Sequence, residues 1–535
     1  MPPAQPMVPG AYDFARTAWF AGLAASGTVI GDIEIVEPGL GTAWRLDGTR
    51  AWLVAQVRGH LGSEESGIAA ALVAGERGGI AEGDVDAMRD SGLAHLLAIS
   101  GLHVSAIIGC VYFLAMRGFA LFPAVVLRWR VPLLAAAVSA LAGIAYTVLT
   151  GGQVPTIRAC LAALLVLLAV AMGREALSMR MIAVVAFAIL LVWPETLMGP
   201  SFQMSFGAVL ALFALVGSGP IRNFLSARDE GWVIKALRGI VLLALTGFVI
   251  ELVLMPVGLF HFHRAGLYGM LANLIAIPLT TFVIMPALAL ALAADLLGLG
   301  APFWWLADTA IDLLLSLAHW TASRPSAVIT SSAIPGWNYA LFVFGGLWIA
   351  LWNSKVRVLG LVPIFIAASL VSLLEPADLM ITGDGRQIAL AHGSGEERAI
   401  YLLGETRSDY VTEILEEISG LPVAQAPISM LSQARCSSDF CTIDWREGGA
   451  ERSLLVSRGR EIVPERALAA ACDNVDIVVS DRWLPRSCQP RLLKADRGLL
   501  SRSGGLAIDL ARGTVRSVAD GQDDHGWTLP ASRRR

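Results

Sequence analysis

A serine and a histidine lie three residues apart in an apolar stretch, HLLAISGLHVSAIIG, which covers residues 95–109. On a helix Ser100 and His103 share one face, because residues at positions i and i+3 are neighbours. A hydroxyl beside an imidazole can act as a nucleophile with its general base. The same groups can instead bond to neighbouring helices, with Gly101 allowing close approach, or line a polar pathway. A pair on one helix needs a third, orienting group for catalysis, which favours packing or a pathway.

The stretch belongs to a chain with the composition of a membrane protein. Its 535 residues are 55% hydrophobic and 16% charged, with mean hydropathy +0.63, whereas a soluble domain has about 25% charged residues. Apolar runs approach the ~20 residues that span a bilayer. They predict a mainly α polytopic membrane protein with about ten transmembrane helices, some broken. The runs lie at 95–116, 131–150, 156–173, 181–193, 201–217, 238–258, 267–297, 302–322, 338–352 and 358–374.

Three sections follow from this pattern. Residues 1–92 mix strand-like and helical patterns and end in a charged lead-in helix, residues 93–374 hold the apolar runs, and residues 375–535 return to a soluble composition. The third section predicts a small α/β domain, because a hairpin turn at 383–385 precedes a helix at 408–420 and a short buried strand, VDIVV. The chain does not open with a basic segment followed by an apolar one, so we expect internal helices to direct insertion.

Basic residues fall mainly in alternate loops of the membrane section. The rich loops hold Arg117, Arg128, Arg130, Arg174, Arg180, Arg222, Arg228, Lys235, Arg238, Lys355 and Arg357, whereas the intervening loops hold Arg264 and Arg324. Cytoplasmic loops carry the excess of lysine and arginine. We therefore expect both termini, with residues 1–92 and 375–535, to lie outside the cytoplasm.

Four of the six cysteines lie in the soluble section. Outside the cytoplasm Cys436, Cys441, Cys472 and Cys488 would form two disulfides. Pairing Cys436 with Cys441 and Cys472 with Cys488 gives the shortest loops, but spacing does not fix the pairing. Free thiols remain an alternative, and the spacing is a poor match to a zinc site. The other two, Cys110 and Cys160, lie in apolar runs and are expected to be buried.

Further polar residues recur along the apolar runs. They are Arg158, Gln203, Ser205, Glu251, Asn273, Asp308 and Asp312. Several spans that each contribute one polar group are typical of a channel or transporter interior. Arg158 could instead extend to the interface, and Asp308 and Asp312 could lie near the membrane surface. Pro278 frees a backbone carbonyl near Asn273, which is tolerated where a broken helix lines a cavity or is buried.

Several segments resemble the ComEC competence family of inner-membrane DNA-uptake proteins. GLAHLLAISGLHVSAIIG resembles the family signature, and LVAGERGGI, GGQVPTIRACLAALLVLLAVAMGREA, WPETLMGPSFQMSFGAVLAL and ANLIAIPLTTFVIMP resemble other family blocks in the same order. Ser100, Gly101, His103, Arg158, Gln203, Ser205, Asn273 and Pro278 match motif positions. PGAYDFARTAWFAGLAASG resembles the segment after the family's external OB-like domain, which implies that most of that domain is missing here.

The resemblance implies a channel that passes single-stranded DNA through the inner membrane during natural transformation, without a cofactor. It also implies contact with membrane lipids, with a periplasmic DNA receptor and with a cytoplasmic helicase-like motor. Association of several copies of the chain into a homo-oligomer is compatible with it. Arg158 would ease passage of phosphates, and Trp304 or Trp305 could stack bases or belong to an interfacial belt. Two alternatives stay open: an intramembrane enzyme using Ser100 and His103, and a transporter of another polyanion or envelope precursor.

The soluble section departs from the family pattern. Many family members end in a metallo-β-lactamase-like domain, which needs a clustered H-x-H-x-D-H motif to hold metal. Residues 375–535 contain only His392 and His525, far apart in sequence. The sequence therefore predicts no metal site and does not support metal-dependent nuclease activity in this degenerate or unrelated α/β domain, for which we expect a structural or docking role. We expect the chain as a whole to be a transport channel rather than an enzyme.

Overall fold

The structure is a computed structural model. It describes residues 3–27, 46–99, 101–152, 154–173, 178–226, 231–352, 354–393, 395–402, 408–424, 431–447, 450–459, 461, 463–520, 522 and 525–528. Ser100, Arg174 and Arg228 lie outside the described residues, as does most of the strand-like segment predicted before residue 46.

Helices dominate the first two sections. In chain order they are α1 (Phe14–Phe20), α2 (Leu46–His60), α3 (Ser63–Ala74), α4 (Glu82–Asp90), α5 (Gly101–Ala120), α6 (Pro123–Arg128), α7 (Val131–Leu149), α8 (Val154–Ala171), α9 (Met179–Val192), α10 (Pro200–Val216), α11 (Gly219–Leu225), α12 (Trp232–Phe262), α13 (Gly269–Leu279), α14 (Met285–Asp295), α15 (Ala301–Ala322), α16 (Gly336–Leu351) and α17 (Leu361–Val371). Short 3-10 helices cover Ala94–Leu96, Pro194–Met198 and Lys355–Gly360, and a π-helical segment, Thr280–Ile284, joins α13 to α14.

The membrane prediction is confirmed in its class but not in its count. Within the described part of the chain, five helices are long and apolar enough to cross a bilayer, and four more apolar helices are shorter. The long ones are α5, α7, α12, the continuous helix Gly269–Asp295 and α15. The run 267–297 is therefore one helix with an internal irregularity. Cys160 is buried as predicted, but the prediction for Cys110 was wrong: it lies exposed on α5, beyond Ile108, the last buried residue of that helix.

The lead-in section packs into the membrane section. Residues of α2, α3 and α4 share one hydrophobic core with α13, α14 and α15, in which Ile68, Met88 and Trp304 are almost fully buried. Helix α3 is apolar around most of its circumference, and such a helix must be buried on all sides. Its alanines allow this close packing, so α2, α3 and α4 lie directly against the helices of the membrane section.

The C-terminal section is an α/β unit with two packed sheets. Its strands are β3 (Leu379–Ile381), β4 (Ile388–His392), β5 (Ala399–Leu402), β6 (Val423–Ala424), β7 (Ala434–Cys436), β8 (Phe440–Glu447), β9 (Ala450–Ser457), β10 (Ile477–Val479), β11 (Leu493–Ala495), β12 (Leu506–Asp509) and β13 (Thr514–Ser517). Two earlier strands, β1 (Arg264–Gly266) and β2 (Val328–Thr330), form a separate antiparallel pair in the membrane section. Its helices are α18 (Asp409–Ser419), α19 (Glu465–Asp473) and α20 (Arg497–Ser503), with a 3-10 turn at Gly395–Glu397.

The two sheets enclose one core. Across the described strands the orders are β13-β12-β3-β4-β5-β6 and β11-β10-β9-β8-β7. Strand β8 alternates buried and partly exposed residues, as the period of two requires, and Trp445 and Leu390 both belong to the core between the sheets. Helix α18 covers the outer face of the first sheet with Leu415, and α19 covers the second with Leu468. The predicted α/β hairpins and helix are therefore present.

The disulfide prediction is confirmed in the shortest-loop pairing. Cys436 bonds to Cys441 and Cys472 bonds to Cys488. The first bridge joins directly opposed residues of β7 and β8, and the second ties α19 to the loop before β11. The first bridge therefore links two neighbouring strands of the second sheet, and the second fastens the helix that covers its outer face.

Gly92 is placed where no other residue fits without strain. Its φ is +76°, and a methyl group added there would lie 3.0 Å from Gly269 Cα. The left-handed conformation costs about 1 kcal/mol for alanine, and overpacking against backbone adds at least about 1 kcal/mol. We expect Gly92→Ala to lower the free energy of unfolding by about 2 kcal/mol in urea titrations of the purified chain. Gly109→Ala, on α5 with open space around it, is the control and should change little.

Candidate functional site

The polar residues of the predicted motifs form three groups on different helices. The first group lies where α5 and α8 begin. His103 is fully buried and hydrogen-bonds to the backbone at Ala98. Gly101 faces α8, since a methyl group on it would lie 3.7 Å from Ala159 Cβ. Arg158 is half-buried in the first turns of α8. The structure thus brings Gly101, His103 and Arg158 into one region, while the Ser100 side of the predicted pair is outside the described residues.

The second group, the Gln203 cluster, comprises Gln203, His261 and Tyr339. The Gln203 amide nitrogen donates to the Leu197 carbonyl over 3.0 Å, which fixes the amide orientation because a carbonyl can only accept. Gln203 Oε1 therefore accepts from Tyr339 Oη at 2.8 Å and from His261 Nε2 at 2.7 Å. One amide thus joins α10, α12 and α16. Tyr339 also stacks on Phe260, with ring centroids 4.1 Å apart.

Sequence reasoning identified Gln203 and missed its two partners. His261 belongs to HFHR and Tyr339 to a short aromatic run, so both were visible as polar groups at the ends of apolar stretches. Their pairing spans 58 and 136 residues of chain, which local patterns do not report. Ser205, two residues after Gln203, is exposed on α10 and stands apart from the cluster.

The third group is the irregular helix that contains Asn273 and Pro278. Pro278 has no N–H, so the bond to the Leu274 carbonyl cannot form, and the helix widens to π geometry over Thr280–Ile284. Among the described residues, buried Asn273 Oδ1, Thr280 Oγ1 and Thr281 Oγ1 have no hydrogen-bond partner. π-Helical segments are frequent at functional sites. Helix α5, which carries Gly101 and His103 of the first group, contacts this π-helical segment.

Glu251 approaches the start of the irregular helix. A methyl group added at Gly269 would lie 2.8 Å from Glu251 Oε1, so the carboxylate rests against the first residue of α13. A negative charge is favourable at a helix N-terminus.

The predicted polar residues Asp308 and Asp312 of α15 have different surroundings. Asp308 accepts the Gly62 N–H at 3.2 Å, while Asp312 is exposed. Trp304 is buried and Trp305 is exposed.

A charged bridge joins the membrane section to the α/β unit; it comprises Asp86, Arg89, Asp90, Arg264, Glu413 and Glu417. Arg264 contacts Asp90 at 3.0 Å, Glu417 at 2.9 Å and Glu413 at 3.7 Å. Arg89 contacts Glu413 at 2.5 Å and Asp86 at 3.6 Å. Three separate parts of the chain, α4, β1 and α18, are held together in this way.

The bridge changes the ionisation of its own members. Burial raises the pKa of Glu417, and Arg264 opposes that shift. Burial disfavours the charged form of Arg89, but Glu413, Asp86 and Glu417 outweigh it and raise the Arg89 pKa.

The N-terminal segment is held near the bridge by a hydrogen bond, since His263 Nε2 donates to the Gly10 carbonyl over 3.0 Å.

The α/β unit does not fit the metal that a metallo-β-lactamase-like domain would hold. Among the residues that the structure describes, no three His, Cys, Asp or Glu side chains form a group that could bind a metal ion. His392 bonds to Glu447 over 2.9 Å, and His525 stacks on Trp527. Asp384 accepts from the Thr382 hydroxyl within its own turn. We therefore derive no metal-dependent step in this unit.

Comparison with known proteins then settles the family. The model of the family described as "Competence protein" matches residues 72–356, which include all three polar groups. The chain belongs to the Competence protein family. The resemblance to the ComEC competence family stated above is thereby confirmed.

The chain is similar to bacterial proteins named for competence and recombination and to one named as uncharacterized. It is 31% identical over 327 residues to competence protein ComA of Neisseria gonorrhoeae, covering 60% of this chain and 44% of that protein. It is 29% identical over 295 residues to recombination protein 2 of Haemophilus influenzae, covering 55% and 35%. It is 32% identical over 243 residues to the uncharacterized protein YcaI of Escherichia coli K12, covering 45% and 31%. The matched part thus spans less than half of each of these relatives, and no solved structure matches the chain.

Proposed function

We propose that this protein passes single-stranded DNA through the cytoplasmic membrane during natural transformation. Membership of the Competence protein family carries the proposal, because the matched residues 72–356 contain the membrane helices with the polar groups. Two relatives named for competence and recombination support it. In this proposal the chain acts as a channel and not as an enzyme.

The polar groups would form the path. Phosphates of a single strand must cross a region of low dielectric constant, where a cation such as Arg158 lowers the barrier. The unpaired oxygens of Asn273, Thr280 and Thr281 would offer hydrogen bonds that replace those of water along the path of the strand. The Gln203 cluster would hold α10, α12 and α16 in register around the path.

We propose further that the protein lies in the inner membrane with both termini outside the cytoplasm. The two loops poor in basic residues pair with each other through β1 and β2. They also meet the α/β unit, because Arg264 bonds to Glu417 and the Thr330 hydroxyl donates to the Gly420 carbonyl over 3.3 Å. Two disulfides cross-link the α/β unit, and disulfides persist in oxidising compartments outside the cytoplasm. There it would receive DNA from a receptor, while a helicase-like motor would act on the cytoplasmic side.

Deletion of the gene tests the proposal. A deletion strain should lose nearly all transformants when it is given linear marker DNA, and a plasmid copy should restore them. Electroporation of a replicating plasmid, which bypasses the uptake route, should remain normal and serves as the control. Transformation at the wild-type frequency would contradict the proposal, and an envelope defect alongside it would point to another polyanion.

A further inference from the structure

The α/β unit presents an exposed tryptophan at one rim. Trp483 is 68% exposed and lies in the loop between β10 and β11. One side of its ring covers Gly498, where an added methyl group would lie 2.8 Å from the ring. The remainder of the indole faces solvent. The packing of the unit therefore uses only a small part of this large side chain.

The loop that carries Trp483 is firmly braced. The Leu484 N–H donates to Asp496 Oδ2 over 3.3 Å. Lys494 Nζ donates to the carbonyls of Leu484 at 3.1 Å and Pro485 at 2.8 Å. The disulfide of Cys488 fixes the end of the loop to α19. A side chain presented by a rigid loop loses little conformational freedom when it binds a partner.

Three exposed arginines lie on chain segments next to this tryptophan. Arg486 is in the same loop, and the Arg497 N–H donates to the Arg482 carbonyl over 3.1 Å. Arg386 follows Gly385, at which an added methyl group would lie 3.1 Å from Asp481 Cα. Within the described part of the chain, Arg386, Arg486 and Arg497 form no ion pair with a carboxylate.

The nearby acidic groups are already engaged. Asp481 lies 3.8 Å from Arg482, and Asp384 accepts from Thr382 and from the Arg386 backbone N–H. The rim therefore combines an open aromatic face with unpaired positive charge. A single-stranded nucleic acid offers the complementary chemistry, because its bases stack on aromatic rings and its phosphates pair with arginine.

We infer that this rim, formed by Trp483, Arg386, Arg486 and Arg497, binds single-stranded nucleic acid before it enters the membrane section. The inference rests on the proposed function for the identity of its ligand. A lipid surface is less suited to the site. The unit meets the membrane section through α18, on the outer face of the first sheet, whereas β10 and β11 belong to the second sheet.

Binding of a fluorescent oligo(dT) to the full chain in nanodiscs tests the inference by anisotropy. Loss of one stacked base predicts that Trp483→Ala weakens binding between about 5-fold and about 150-fold, and Trp483→Phe should retain most of it. Arg486→Ala should reduce the slope of log K against log salt by about 0.7. Tyr410→Ala is the matched control, because Tyr410 is 64% exposed on α18 of the same unit.

Unchanged oligo(dT) binding by Trp483→Ala, or an equal loss in Tyr410→Ala, would overturn the inference. Equal competition by duplex DNA would overturn its single-strand part. If Trp483→Ala weakened only the attachment of detergent-solubilised chain to phosphatidylglycerol vesicles, the rim would be a lipid contact instead. The two proposals fail separately, because the deletion strain tests DNA entry whereas this titration tests the rim alone.

Discussion

Replacing Arg264 by alanine should lower the free energy of unfolding by about 3 kcal/mol. The Arg264 side chain is only 19% exposed and contacts three carboxylates. Its removal leaves Asp90 and Glu417 without their cation, and breaking a buried pair from one side costs about 3–5 kcal/mol. We take the lower end because these carboxylates keep some exposure to water. Urea unfolding of the purified full chain in detergent measures the change.

An exposed ion pair of the same kind provides the control. Arg446 pairs with Glu451 while both side chains stay about two-thirds exposed, 67% and 66%. Such a pair contributes less than about 1 kcal/mol, so Arg446→Ala should have a small effect. The charge swap of Arg264→Glu with Glu417→Arg should recover part of the loss. Equal stability of Arg264→Ala and Arg446→Ala would show that the charged bridge does not hold the α/β unit on the membrane section.

Replacing Gln203 by leucine should lower the free energy of unfolding by about 4 kcal/mol and reduce DNA uptake at least about 10-fold. Two partly buried donors, His261 Nε2 and Tyr339 Oη, lose their shared acceptor. Each unsatisfied buried group costs about 2 kcal/mol. The loss of register among α10, α12 and α16 should then disturb the path. Thermal unfolding and marker transformation, normalised to protein abundance, measure the two effects.

A double-mutant cycle separates this cluster from a general packing defect. Tyr339→Phe removes one of the two donors, so Gln203→Leu should cost less in that background than in the wild type. Thr246→Ala on α12 is the control, since the Thr246 hydroxyl donates to the Leu243 carbonyl of its own helix and is partly exposed. Additive effects of Gln203→Leu and Tyr339→Phe would contradict the shared hydrogen-bond geometry.

The sequence predicts what depends on local periodicity. The apolar runs predict α5, α7, α12 and α15, because length and hydropathy decide insertion. The turn at Gly383–Gly385 predicts the hairpin of β3 and β4 because glycine tolerates positive φ, and Gly385 has φ +70°. Cysteine spacing indicates the two disulfides once the compartment is assumed.

Contacts between distant segments were beyond such patterns. The charged bridge joins residues more than three hundred positions apart, as in Arg89 with Glu413, and every member resembles an ordinary surface charge in sequence. The burial of α3 depends on small residues that fit several environments. The sequence identifies Arg158 and Asn273 as motif positions. Only the tertiary packing shows that Arg158 belongs to the first polar group and Asn273 to the third.

The fate of labelled DNA in living cells tests the central claim most directly. Wild-type and deletion cells would receive end-labelled duplex DNA, followed by external nuclease and separation of cytoplasm from envelope. The account predicts single-stranded label in the cytoplasm of the wild type and none above background in the deletion strain, in which label stays with the envelope. Equal amounts of cytoplasmic single-stranded label in both strains would contradict it.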